Sequence, residues 1–145
     1  MDIHSLLHAL DNDNNESVVE LSLEKIAKDK NDILQQLNLP RDELLRLNKQ
    51  LKSYRLVNDT NDLRFGSYIR WINLKNPEHI KLTNGGILCD IKALGEDIHV
   101  KCKNKMNLIF QVKLSEVLLF QKLSEQEQII LKALKLLGGN PPHPP

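Results

Sequence analysis

A chain of 145 residues that is 41% hydrophobic and 27% charged, with a net charge of +1, can bury a stable core without disulfides or metals. No apolar run approaches the ~20 residues that a membrane-spanning helix needs, and the opening residues MDIHSLLHALDNDNNE lack the basic segment of a secretory signal. Two cysteines, Cys89 and Cys102, give no disulfide framework. These features exclude membrane-spanning and disulfide-rich secreted proteins, and we expect a protein that is not secreted.

Charge is distributed unevenly along the chain. Residues 1–63 carry 8 Lys and Arg against 12 Asp and Glu, whereas residues 64–145 carry 12 against 7. An acidic first part and a basic second part suggest two surfaces with different partners.

The acidic part is predicted to be helical. Residues 1–15 form a flexible or short helical N-terminus, and residues 16–57 form a helical segment in which Asn38 and Pro40 separate two helices. Apolar residues recur along this segment at spacings of three, four and seven, with Lys30 as the one polar position. This apolar seam consists of Leu23, Ile26, Ile33, Leu37, Leu44, Leu47 and Leu51.

The seam has two interpretations. The first is a helical hairpin that folds on itself or against the rest of the chain, and the second is a kinked coiled coil that joins two chains. Each helix is short, so tertiary packing has to stabilise it in either case. From the seam we predict self-association, with a homodimer favoured over a larger homo-oligomer.

Residues 64–121 have strand character. Regular alternation of apolar and polar residues predicts strands joined by short turns, and residues 115–120 are either a fifth strand or a short helical turn. The four clearer strands are predicted over residues 67–74, 87–93, 98–103 and 108–114. The sequence therefore predicts a five-stranded, SH3-like or OB-like β-barrel within an α+β fold.

The second of these strands has the cleanest alternation. Gly85 and Gly86 permit a tight or bulged entry to it. Ile87, Cys89 and Ile91 are expected on its core face, because side chains alternate between the two faces of a strand.

A final helix is predicted over residues 124–137, because Ser124 and Glu127 have the spacing of a capping box. It completes a domain over residues 64–137 by packing on the barrel. Residues 138–145, GGNPPHPP, are expected to be a disordered proline-rich tail.

No catalytic, cofactor or metal signature is present in the sequence. The nucleophile elbow, the zinc-protease motif, the P-loop and the Rossmann fingerprint are all missing. Cys89, His99 and Cys102 do not form a zinc site on this pattern, because His99 and Cys102 leave opposite faces of one predicted strand. His4 and His8 have helical spacing but lack a third ligand. We expect no enzymatic activity, no metal and no cofactor.

Lysines gather on the outward face of the predicted barrel, where only Asp90 opposes them. This set consists of Lys92, Lys101, Lys103, Lys105 and Lys113. Such a face is either an ordinary solvated surface or a site for a nucleic-acid backbone, with Tyr68 or Trp71 as a stacking partner for bases.

The segments RFGSYIRWINL, LTNGGILCDI and FQKLSEQEQIIL, over residues 64–131, resemble small proteins of nucleocytoplasmic large DNA viruses, especially those of marseillevirus type. The resemblance implies a viral protein, located in the virion or in the host cytoplasm or nucleus, and it transfers no catalytic residues. We therefore expect a non-enzymatic binding or scaffolding module of a virion or infection factory. It would act through protein–protein contacts and self-association, with nucleic-acid binding through the lysine face as the alternative and no contact with membranes.

Overall fold

The computed structural model of the protein describes residues 3–12, 15 and 21–137. These residues form an α+β fold of four α-helices and one six-stranded sheet. The helices are α1 (Ile3–Leu10), α2 (Leu23–Gln35), α3 (Arg41–Gln50) and α4 (Glu125–Leu136). The strands are β1 (Tyr54–Leu56), β2 (Tyr68–Asn73), β3 (Gly86–Leu94), β4 (Asp97–Lys103), β5 (Ile109–Lys113) and β6 (Val117–Lys122).

The sheet is antiparallel and open, in the order β1-β6-β2-β3-β4-β5. Strands β2 to β5 follow one another as a meander, whereas β6 returns to lie between β1 and β2. Within the described residues β1 and β5 are the two edges and do not pair with each other. The predicted closed barrel of five strands is therefore not confirmed, because a sixth strand is present and the sheet does not close.

Two of these strands differ from the prediction. Strand β1 lies inside the predicted helical segment, where three residues pair with β6 after α3 has ended. For residues 115–120 the sequence left open a strand or a short helical turn. Both are present, because a 3-10 turn at Leu114–Glu116 leads directly into β6.

A β-bulge in β3 changes which of its side chains face the core. The register of β3 against β4 shifts between Leu88 and Asp90, and such an extra residue moves the following side chains to the other face. The bulge allows Leu88, before it, and Ile91, after it, to contact the same core although they are three residues apart, whereas Ile87 and Cys89 are exposed. The prediction that Ile87 and Cys89 face the core is wrong, and only Ile91 packs against it.

The inner face of the sheet buries a cluster contributed mainly by the strands themselves. Ile69, Trp71 and Leu119 lie at its centre, and Val57 from the connection after β1 completes one side. Because the sheet supplies nearly all of this cluster, it must curve around its own side chains. The remaining buried members are Leu88, Val100, Cys102 and Val117.

The outer face of β1, β6 and β2 is covered by α2 and α3. Leu34 of α2, Leu47 of α3 and Leu51 at the end of α3 pack on Ile72 and Phe120 from the strands. Below them α1 and α4 pack on each other around a third cluster that also includes Ile26 of α2. The helices therefore fold against their own sheet.

The apolar seam is used within the chain. Its residues belong to the second and third clusters, either buried or packed against them, as is the case for Leu23, Ile26, Ile33, Leu37, Leu44, Leu47 and Leu51. The hairpin interpretation describes this fold, and a coiled coil through the seam would have to break these contacts. Self-association itself stays a prediction. The part of the predicted first helix over residues 16–20 lies outside the described residues.

The lysine in the seam is buried. Lys30 is 5% exposed, and its ammonium donates hydrogen bonds to the carbonyls of Leu51 (2.6 Å) and Lys52 (3.4 Å) just after α3. A cation beside the carbonyl end of a helix satisfies acceptors that have no intrahelical partner. Burial lowers the pKa of Lys30. Lys30 therefore joins α2 to the end of α3.

The predicted last helix is confirmed as α4, and so is its capping box. The Ser124 hydroxyl accepts a hydrogen bond from the backbone of Glu127, whose carboxylate accepts one from the backbone of Ser124. Glu127 also forms an ion pair of 2.8 Å with Arg64, which attaches α4 to the entry of β2. The predicted tail over residues 138–145 lies outside the described residues. No described helix has the length and apolar character to cross a membrane.

Candidate nucleic-acid interface

Beyond the edge of the covering helices, the outer face of the sheet opens into a cleft of about 720 Å³. The register places Lys122 directly opposite Tyr54, and Tyr68 opposite Ile87 on the neighbouring strand pair. We define the basic cleft as the site lined by Tyr54, Tyr68, Arg70, Lys105 and Lys122, together with Asn84, Gly85, Asn104 and Met106.

The basic cleft is cationic. Its lining includes Arg70, Lys105 and Lys122 and, among the described residues, no carboxylate. None of these three cations forms an ion pair with another residue in the part of the chain that the structure describes. Their charges are therefore available to an anion.

Hydrogen bonds fix the two side chains at the floor of the cleft. The Arg70 Nε donates to the Thr83 carbonyl at 2.8 Å, and the Tyr68 hydroxyl donates to the Asn84 carbonyl at 2.8 Å. Burial raises the pKa of Tyr54, while the positive charge of the nearby Arg70 guanidinium acts to lower it. Arg70 is thus held in place through its Nε, close to Tyr54.

Close backbone approach brings the 84–86 segment into the cleft. Gly85 has φ +74, and a Cβ there would lie 1.9 Å from the Ile69 carbonyl oxygen. A Cβ on Gly86 would lie 2.6 Å from the Lys103 carbonyl oxygen. Only glycine permits both approaches. The two glycines predicted at the entry to β3 therefore let the backbone pass close to Ile69 and Lys103.

The turn between β4 and β5 carries Lys105 to the rim. The Asn104 side chain accepts hydrogen bonds from the backbone of Met106 (2.9 Å) and Leu108 (3.0 Å), and Asn107 adopts φ 62. An asparagine that bonds to its own turn in this way stabilises a tight reversal. Lys105 is therefore presented from an ordered turn.

The predicted lysines lie at different places along the sheet, some near the basic cleft and one at the opposite end. Lys92, Lys101, Lys103 and Lys113 do share the outer face, because Lys92 and Lys113 are both register partners of His99, and Lys103 is the partner of Ile87. Lys103 and Lys105 lie on the side of the basic cleft. Lys113 is neutralised at the other end of the sheet.

The neutralised lysine has two acidic neighbours. Lys113 forms ion pairs with Asp97 at 3.0 Å and with Glu116 at 3.8 Å, and the bond to Asp97 raises its pKa. Lys92 has a longer contact of 4.0 Å with Asp90. These two lysines contribute less free charge than the sequence suggested.

Sequence reasoning missed Tyr54, Arg70 and Lys122. Tyr54 lies within the predicted helical segment over residues 16–57, and Lys122 lies beyond the last predicted strand. The alternation of Tyr68 and Arg70 on one face of β2 was the only signal within the sequence. Of the two proposed stacking residues, Tyr68 is in the cleft, whereas Trp71 is 7% exposed on the inner face.

Cys89, His99 and Cys102, which the sequence pattern argues against as a zinc site, have different environments. Cys102 is buried on the inner face, where burial raises its pKa to about 11, whereas Cys89 is exposed. The His99 Nδ1 lies 3.0 Å from the Gln111 side-chain nitrogen. Among the described residues no three His, Cys, Asp or Glu side chains are placed to hold a metal ion.

Comparison with family models, curated proteins and solved structures found no match for this chain. The basic cleft is therefore interpreted from its own residues.

Proposed function

We propose that the protein is a non-enzymatic binding module and that its basic cleft binds single-stranded nucleic acid. The observation that carries this proposal is the convergence of Arg70, Lys105 and Lys122 around Tyr68 in a cleft without a carboxylate. Proteins that bind single strands combine a positive groove for the backbone with aromatic side chains on which bases stack.

Each side chain has a distinct part in this proposal. Arg70 offers a planar guanidinium suited to a phosphate, and Lys105 and Lys122 supply mobile charges at the rim. Tyr68 is half-buried and fixed through its hydroxyl, so its exposed ring surface is available to a base. Tyr54 is 9% exposed and supports the floor instead.

Two lysines of β4, the exposed Lys103 and the half-buried Lys101, extend the cationic surface. Lys103 is exposed beside Ile87, and Lys101 lies two residues away on the same face. Neither forms an ion pair among the described residues. A strand leaving the basic cleft would meet these charges next, which favours a nucleic-acid chain over an isolated small anion.

Protein–protein contact, the first expectation from the sequence, is supported by a different surface, the edge strand β5. A role in a virion or an infection factory is a proposal that rests on the resemblance to viral proteins alone.

The test is a titration of labelled single-stranded DNA and RNA by fluorescence anisotropy at several salt concentrations. Lys105→Glu/Lys122→Glu is compared with Lys132→Glu/Lys135→Glu, which makes the same charge change on exposed positions of α4. If both cleft lysines contact phosphates, their loss reduces the slope of log affinity against log salt by about 1.4. The α4 variant should keep the wild-type slope.

Two outcomes would overturn the proposal. One is that the wild-type protein binds neither nucleic acid at low salt. The other is that the α4 variant loses as much affinity as the cleft variant, because binding would then depend on net charge and not on the cleft.

A further inference from the structure

The free edge of β5 is the second surface without a partner. Strand β5 pairs with β4 on one side only, and residues 109–112 make no further backbone hydrogen bonds within the described part of the chain. Unpaired backbone groups along an edge are a template for another strand. Natural edge strands are commonly protected by charged side chains, bulges or covering elements.

This edge lacks such protection at its apolar end. Leu108, Ile109 and Phe110 are 55%, 65% and 44% exposed. They are consecutive, so both faces of the strand present apolar surface to solvent. An exposed apolar run on an unpaired edge is typical of a site that another chain covers.

A groove of about 610 Å³ runs beside the edge. Its apolar side is formed by Trp71, Phe110 and Val112, and its opposite rim is formed by the segment that carries His79 and Lys81. The groove therefore lies between β5 and the chain segment that follows β2. A strand placed there would pair with β5 and bury Phe110.

The charges of the groove select the occupant. Lys81 and His79 line the rim, no carboxylate lines the groove, and Lys81 has no ion-pair partner among the described residues. A second copy of β5, with the sequence IFQVK, carries no carboxylate and would bring another lysine, Lys113, to a groove whose rim already holds Lys81. Charge complementarity favours an acidic segment instead.

We propose that the β5 edge and its groove bind an extended, acidic peptide segment of a partner protein, which adds a strand to the sheet. Main-chain hydrogen bonds to β5 would supply affinity, and alternate side chains would supply specificity. Apolar residues of the segment would lie on Trp71 and Phe110, and its carboxylates would face Lys81.

The probe is a short peptide that alternates valine and glutamate, titrated to millimolar concentration against the isotope-labelled protein. Two control peptides carry lysine for glutamate or a central proline, which cannot donate a ladder hydrogen bond. We expect the glutamate peptide alone to shift the backbone amide signals of residues 109–113 in nuclear magnetic resonance spectra.

Charge reversal provides the matched protein variant. Lys81 is exposed, so Lys81→Glu should fold normally. It should lose affinity for the glutamate peptide by roughly tenfold and gain affinity for the lysine peptide by a similar factor. Binding of nucleic acid in the basic cleft should stay unchanged, which separates this proposal from the previous one.

Three results would overturn this inference. The first is that no peptide shifts the β5 signals at millimolar concentration. The second is that the proline peptide binds as well as the glutamate peptide, because strand addition would then be excluded. The third is a dimer in analytical ultracentrifugation whose formation broadens the same signals, because a second copy would then occupy the edge.

Discussion

Replacing Lys30 by methionine tests whether its buried charge stabilises the fold. Methionine has a similar length and flexibility, so the apolar packing of the side-chain stem is retained. The substitution removes hydrogen bonds to the carbonyls of Leu51 and Lys52. The Leu51 carbonyl keeps a second donor, because the Tyr54 backbone amide bonds to it at 3.0 Å.

Two opposing contributions set the magnitude. A hydrogen bond from a charged donor stabilises a protein by about 1.5–3 kcal/mol, whereas burial of an ammonium without a carboxylate partner costs several kcal/mol. Burial lowers the pKa of Lys30, which shows that the fold disfavours its charged form relative to water. We therefore expect Lys30→Met to change the free energy of unfolding by less than about 1 kcal/mol. Lys30→Ala, which also removes the stem, should cost about 2–4 kcal/mol.

The pH dependence distinguishes charge from packing. Because the folded-state pKa of Lys30 is lowered, the unfolded state binds more protons between that pKa and the ordinary value of 10.5. The free energy of unfolding of the wild type therefore rises with pH in this window relative to that of Lys30→Met, which lacks the titrating group.

The assay is urea denaturation of both proteins at neutral and at alkaline pH, so that titrations common to both cancel. The reasoning would be refuted if the wild type lost stability relative to Lys30→Met as the pH rose, since the charge would then be stabilising. The reasoning would also be refuted if Lys30→Met lost as much free energy of unfolding as Lys30→Ala.

Two further predictions concern single side chains. Tyr68→Leu should weaken single-strand binding roughly tenfold with an unchanged salt slope, because stacking releases no counterions. Tyr68→Phe should retain the affinity. Equal losses in both variants would assign the effect to the hydroxyl. In the native protein Cys89 should react with a thiol reagent, while Cys102, buried with a pKa of about 11, should react only after unfolding; two fast thiols at neutral pH would contradict the buried position of Cys102.

Local signals in the sequence predicted the elements that depend on neighbouring residues. Ser124 and Glu127 lie three residues apart and cap each other, so α4 could be located without knowledge of the rest of the fold. Helix α3 likewise begins immediately after Pro40. Alternation predicted β4 because Val100 and Cys102 are buried on one face of that strand.

Features that depend on distant residues were missed. Strand β1 has three residues and exists because it pairs with β6, whose residues lie more than sixty positions later. The bulge in β3 shifts the register by one residue without a distinctive sequence, and that shift reversed the expected facing of Cys89. The periodicity of apolar residues within one segment reveals neither the pairing of β1 with a distant strand nor the bulge in β3.

The position of β6 links the two proposed sites. Because β6 returns between β1 and β2, Lys122 comes opposite Tyr54 and next to the strand that carries Tyr68 and Arg70, which assembles the basic cleft. The same placement leaves β5 without a neighbour, because β6 follows β5 in sequence but does not pair with it. If β6 had paired with β5, the edge would be covered and Lys122 would lie far from Arg70. The strand order therefore produces both the basic cleft and the free β5 edge. Binding at each of them can still be abolished separately by substitution.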